Sequence, residues 1–244
     1  MILGRSIALI AIVLLPATGH AGPPYVTDDP EPVEFRHWEF YLATQHSITR
    51  SLATGTAPHV EVNYGAWPGL QLHMIAPWAY ARPSGGPTSW GMGDIELGVK
   101  FRFVDEGPWR PMVGTFPIFE VPTSDGSRQL GTGHLHVFIP LWLQKSFGPW
   151  TTYGGGGLWV NPGQGNRNYG YVGWQVQRRI SQLATLGAEI FYTTADQVGG
   201  NANLRFNVGL VLDLTEHHHL LFSAGRSIVG DVLWQSYTAY QLTL

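Results

Sequence analysis

Asp94-Ile95-Glu96-Leu97-Gly98-Val99-Lys100-Phe101-Arg102-Phe103 alternates from end to end. Successive side chains on a strand leave on opposite faces. Ile95, Leu97, Val99, Phe101 and Phe103 therefore make an apolar wall, and Asp94, Glu96, Gly98, Lys100 and Arg102 a charged one. The stretch from Leu204 repeats the pattern: Leu204, Phe206, Val208, Leu210 and Leu212 oppose Arg205, Asn207, Gly209 and Asp213, with Val211 the exception. A shorter copy sets Val60, Val62 and Tyr64 against His59, Glu61 and Asn63.

Outward from that stretch, about twelve such segments of about ten residues follow one another. They fall near 36–45, 57–66, 70–80, 93–104, 111–122, 134–147, 151–160, 168–178, 183–193, 203–213, 218–227 and 234–244. An even number of ten-residue alternating segments is what tilted strands crossing a bilayer require. The connections alternate too. Trp67-Pro68-Gly69, Gly148-Pro149-Trp150 and the stretches 105–110, 179–182 and 215–217 are short. Those at 46–56, 81–91, 124–133, 161–167 and 195–202 are longer and rich in Gly, Ser and Asn, while the last, near Gly230-Asp231, is short for its side. Short turns on one side and long loops on the other is the outer-membrane arrangement, with the N-terminus on the periplasmic side. Trp67, Trp109 and Trp150 beside the turns, and Trp78, Tyr80, Trp159 and Tyr169 near the other rim, are expected to form two interfacial girdles.

Composition agrees. The 244 residues are 13% charged and 44% hydrophobic, with 31 glycines. That charge is about half the usual share of a soluble domain. Mean hydropathy is only -0.03, and no internal run is apolar for the ~18 residues of a spanning helix. A net charge of -3 gives no field to recruit nucleic acid, and the absence of cysteine removes disulfides, thiolate metal sites and a cysteine nucleophile. The reading is an all-β chain: a transmembrane antiparallel up-and-down β-barrel of about twelve strands. A soluble sandwich has shorter strands, and a lipocalin-like barrel would place its apolar face inside and use about eight. Glycines on the polar face, as in Gly154 to Gly157, suit a crowded lumen.

Three regions are expected. Residues 1–21 read as a cleaved signal peptide: Arg5 is the basic n-region, Ile7 to Leu15 the apolar core, and Gly19-His20-Ala21 the cleavage site. Residues 22–35 form an acidic, proline-rich segment, periplasmic or lumenal, and residues 36–244 the barrel. The expected location is the outer membrane.

The mature chain resembles the outer-membrane transporters grouped under the MetA-pathway of phenol degradation. The resemblance rests on Gly93-Asp94-Ile95-Glu96-Leu97-Gly98-Val99-Lys100-Phe101, on Thr27-Asp28-Asp29-Pro30 and on Tyr237-Thr238-Ala239-Tyr240-Gln241-Leu242-Thr243. It implies a barrel and a transport role, and supplies no catalytic residues. Outer-membrane barrels commonly finish on an aromatic residue that the barrel-assembly machinery reads. This chain finishes on Leu244, although Tyr240, Leu242 and Leu244 still make an apolar stripe.

By parity the lumen receives Glu61, Asp94, Glu96, Lys100, Arg102, His134, His136, Glu189 and Arg205, with His59, Asn63, Gln175, Asn207 and Gln241 beside them. Charges of both signs there would set a transverse field for a polar solute, or would simply satisfy one another. The expected partners are outer-membrane lipid, a small solute and the assembly machinery. No cofactor or metal is expected. His217-His218-His219 cannot converge from one strand, and His134 with His136 lacks a carboxylate partner in sequence. Passage of a small, aromatic or otherwise hydrophobic solute is the leading expectation. An adhesion barrel is the alternative, and a lipid-modifying enzyme a weaker one, since Ser223 stands alone. Asp28, Asp29, Glu31 and Glu34, kept extended by Pro30 and Pro32, are expected to enter the lumen and pair with Lys100, Arg102, Arg205 or Arg226, as a plug, or else to trail as a tail.

Overall fold

The computed structural model describes residues 22–244, so the expected signal peptide lies outside the described residues. The wall contains β1 (Trp38–Ile48), β2 (Leu52–Trp67), β3 (Leu70–Pro83), β4 (Ser89–Met92), β5 (Ile95–Val104), β6 (Met112–Thr115) and β7 (Ile118–Val121). It continues through β8 (His136–Phe147), β9 (Trp150–Val160), β10 (Tyr169–Arg179), β11 (Ala184–Thr193), β12 (Asn203–Asp213), β13 (His218–Val229) and β14 (Trp234–Thr243).

The fourteen segments make twelve staves. β4 and β5 both pair with β3 and are one stave interrupted at Gly93-Asp94. β6 and β7 both lie between β5 and β8 and are one stave interrupted at Phe116-Pro117. Proline brings no N–H to a ladder, which accounts for the second break. Every pairing is antiparallel, and β1 pairs with β14 from Glu39↔Thr243 to Ile48↔Trp234. The sheet thus closes on itself and has no edge. The expected barrel and strand number stand.

Burial runs opposite to that of a soluble protein. Leu97, Val99, Phe101 and Phe103 are exposed, while Lys100 between them is 4% exposed. Gln175, Glu189 and Asn207 are likewise buried, and Val172, Trp174, Ile190 and Val208 face out. Isolated exposed apolar residues carry little information, but an unbroken apolar belt around a polar interior does. That belt is stable in lipid and would aggregate in water. Val211, the exception in the sequence pattern, is buried with Tyr41, Ala43, Leu221 and Ala239, so apolar filling reaches inside the barrel at that point.

Two sequence expectations change. The stretch 46–56 is not a long loop: β1 runs to Ile48, β2 starts at Leu52, and Ile48↔Ala53 still pair. Its Ser, Thr and Gly residues look like loop, but the cross-strand ladder holds them. Trp159 and Tyr169 do not belong to an outer girdle. Trp159 stacks on His136 at 4.1 Å and on Phe138 at 4.7 Å, inside the barrel, and Tyr169 stacks on Trp159 at 6.0 Å. Parity decides this, because Leu158 faces out and its neighbour must face in. Trp67, Trp109 and Trp150 are exposed at the turn end, and Trp78 and Trp90 toward the loop end.

Candidate functional site: the lumen

The segment before β1 lies inside the ring. Four of residues 22–35 are proline, at 23, 24, 30 and 32. Each has no backbone N–H to satisfy, which suits a chain with no neighbouring strand. Of the remaining donors, those of Tyr25, Asp29 and Glu31 are met within the segment, by Gly22, Asp28 and Asp29, and those of Val26, Thr27 and Val33 by side chains of the wall. Glu189 on β11 accepts the Val26 N–H at 2.9 Å and the Thr27 N–H at 2.7 Å, and Asn207 donates to the same carboxylate at 2.5 Å. Gln71 on β3 accepts the Val33 N–H at 2.9 Å, and Ser223 on β13 donates to the Pro24 carbonyl at 2.5 Å. Lys100 on β5 reaches Asp28 Oδ1 at 2.9 Å and Asp29 Oδ2 at 3.3 Å. Gln144 on β8 donates to Glu31 at 2.7 Å.

Wall glycines make the seat. Gly187 and Gly209 face each other on β11 and β12, and a Cβ on either would strike the Tyr25 ring hydroxyl. A Cβ at Gly173 would meet Thr27 and Tyr171, whose hydroxyls lie 3.0 Å apart. Where the segment leaves the lumen, a Cβ at Gly65 would fall on the Glu34 carbonyl oxygen, and Arg36 turns the chain with φ 69°.

The expected lumenal residues divide into groups. Lys100 and Glu189 bind the segment. Glu61 and Glu96 flank His73: its Nε2 lies 2.9 Å from Glu96, its Nδ1 2.7 Å from Asn63 Oδ1, and Asn63 donates to Glu61 at 2.9 Å. His136 meets Glu120 at 2.8 Å inside the aromatic stack. Arg205 lies with its guanidinium 4.8 Å from the Phe191 ring centre. Three others sit toward the ends. Asp94 accepts from the Ser124 N–H at 3.0 Å and the Thr132 N–H at 2.6 Å, tying the loop 122–135 down. His134 lies 2.9 Å from Asn161 among the loops, and Arg102 pairs with Asp105 at 2.9 Å at the turn end.

Of the expected segment pairings, the one with Lys100 forms. Arg226 is exposed on the outer face, since Gly225 and Ser227 take the inner positions. Glu34 is at the turn-end mouth, largely exposed beside His37. His218 and His219 diverge as their adjacency requires, His218 to Tyr240 at 2.6 Å and His219 to Asp213 at 2.9 Å.

The inner wall also carries residues that the sequence reading passed over. Glu39, Tyr41, Gln71 and His73 line the lumen, and Trp142, Tyr171 and Phe191 cluster in it with Phe116 and Phe138. The signal for two of them was present: Gln71 and His73 alternate with Leu70, Leu72 and Met74.

Beside the segment a cavity of about 790 Å³ remains. It touches Glu216, His217 and Leu244 at the turn end and His46, Ser47 and Thr54 at the loop end. The lumen is therefore divided lengthwise: the segment covers β8 to β11, and the open space runs beside it along β12 to β14 and β1 to β3 as far as Glu96 and Lys100 on β5.

No family model matches the chain, and no curated protein does. Solved structures do match. The COG4313 outer membrane channel from Pseudomonas putida F1 superposes with a TM-score of 0.71 at 16% identity, covering 88% of this chain and 98% of that one. The NanC porin gives 0.57 at 10% identity over 83% of this chain and 98% of its own, and the KdgM porin 0.55 at 9% over the same shares. The likeness is one of fold: the chain has the β-barrel architecture of outer-membrane channels and porins.

Proposed function

We propose that this protein is an outer-membrane channel that passes a small solute, with the segment 22–35 narrowing its lumen. The cavity that touches both barrel ends carries the reading, because a purely structural barrel of this girth has no need of it. The exposed apolar belt, the turn and loop asymmetry and the likeness to barrels described as channels and porins support placement in the outer membrane. The leader-like residues 1–21 would deliver the chain there.

The lining supports a solute with an aromatic or otherwise hydrophobic body. Tyr41, Phe116 and Tyr237 face the cavity, and flat rings offer large contact area to such a solute. Glu61 and Glu96 would supply polar contacts along the way, and Arg205 would do so from across the cavity.

The test is liposome swelling with a panel of phenols, sugars and amino acids, together with conductance of the full chain and of a variant lacking Pro23 to Pro32. Small phenols are expected to enter fastest, and the deletion to raise single-channel conductance. No leakage for any solute would count against the channel, and unchanged conductance would count against the narrowing.

A further inference from the structure

The charge on the open side of the lumen is predominantly negative. The inner faces of β14, β1, β2 and β3 carry Glu39 and Glu61 and no lysine or arginine. Glu96 on β5 joins them: Glu61 and Glu96 both stand opposite Ile75 of β3, and Glu39 stands opposite Asn63, two residues along β2 from Glu61. Among the described residues, two lysine or arginine side chains touch this cavity, Lys100 and Arg205. Lys100 is taken by Asp28 and Asp29. Arg205 leans on Phe191 and donates to Gln235 of β14 at 3.4 Å, so its single positive charge sits at the cavity's edge. His73, between Glu61 and Glu96, supplies at most one positive charge to that pair.

A second observation asks for a hydrogen-bond donor. Gln241 is 1% exposed and lines the same cavity. Its Nε2 donates to the Tyr41 hydroxyl at 2.8 Å, and that hydroxyl donates to Glu39 at 2.8 Å. Tyr41 has one proton and Glu39 holds it, so Gln241 cannot be turned the other way round. Its Oε1 meets no donor among the described residues.

We infer that the open side of the lumen is a path for cations, and that its solute is a small protonated amine carried on an aromatic or apolar body. The inference rests on the channel reading. Glu39, Glu61 and Glu96 set a negative potential in a confined space with low-dielectric walls, which raises the local concentration of cations and lowers that of anions. Gln241 Oε1, closed off in this packing, accepts from an ammonium once the side chain turns toward the cavity. Tyr41 and Tyr237 present aromatic rings, to which cations are drawn more strongly once water is displaced.

The experiment uses the full chain in planar bilayers under a KCl gradient, with the reversal potential as readout. Cation permeability is expected to exceed anion permeability by at least about threefold. E39Q/E61Q/E96Q should bring the ratio close to one while conductance persists. E96Q alone, at a carboxylate more accessible than that of Glu61, should move it part of the way and keeps the test valid if the triple variant fails to fold. In liposome swelling, benzylammonium should enter faster than benzyl alcohol, and benzoate slowest. Conductance with no cation preference, or with a preference that E96Q and the triple variant leave unmoved, overturns the cation path and leaves the channel standing. Absence of conductance and of swelling overturns both.

Discussion

Lys100 faces two carboxylates in a space that excludes most water. A buried ion pair adds little when compared with an apolar filling, but removing one partner leaves a charge with nothing to answer it, at a cost of about 3–5 kcal/mol. Lys100→Met is therefore expected to release the segment before it loosens the wall. Limited proteolysis should cut within residues 22–35 of the variant at a concentration that spares the parent, while the barrel keeps its heat-modifiable gel mobility. Equal protection of the two would mean that Glu189 and Gln71 hold the segment unaided. Gly209→Val approaches the same question from the wall: its Cβ would stand 2.7 Å from the Tyr25 hydroxyl. It should expose the same cleavage sites with no charge altered.

Each stave has two faces, and the sequence announced one of them far better than the other. The outer face must be apolar at every second position, because lipid offers no partner to a polar group. Leu97 to Phe103 and Leu204 to Leu212 could thus be read directly, and the barrel with them. Leu141→Arg on β8 should cost about 2–4 kcal/mol of folding free energy in lipid, measured by urea titration of the protein refolded into vesicles. A cost near zero would mean that this position is not in the belt. The inner face answers to its neighbours across the lumen, and these lie far apart in sequence. Lys100 was legible as lumenal, and its pairing with Asp28 was one of four open choices. The Trp142 cluster was not foreseen, because its room comes from Gly155 on the next strand, where a Cβ would come within 2.9 Å of the indole. Asp94 has lumenal parity and a different occupation, which only the returning loop 122–135 explains.

The whole molecule is a ring whose last stave meets its first. Ala43 and Ala239 are register partners across that seam, and the chain has no cysteine of its own. Ala43→Cys with Ala239→Cys should therefore form one defined disulfide on oxidation. The oxidised, boiled protein should run ahead of the reduced one, since cross-linking residues so distant in sequence leaves a compact loop. Identical mobilities after oxidation would contradict the register of closure.

The segment inside the ring belongs to the same chain as the ring and is moored to its rim through Arg36 and Trp38, whose N–H groups bond Gly65 and Leu244. It behaves as a ligand on a very short tether, so its local concentration at its own seat is on the order of millimolar. Departure from the seat is consequently brief, and return needs no encounter. A free peptide of residues 22–35 would compete poorly with the resident copy, yet should occupy the seat of a truncated barrel at concentrations near that same range.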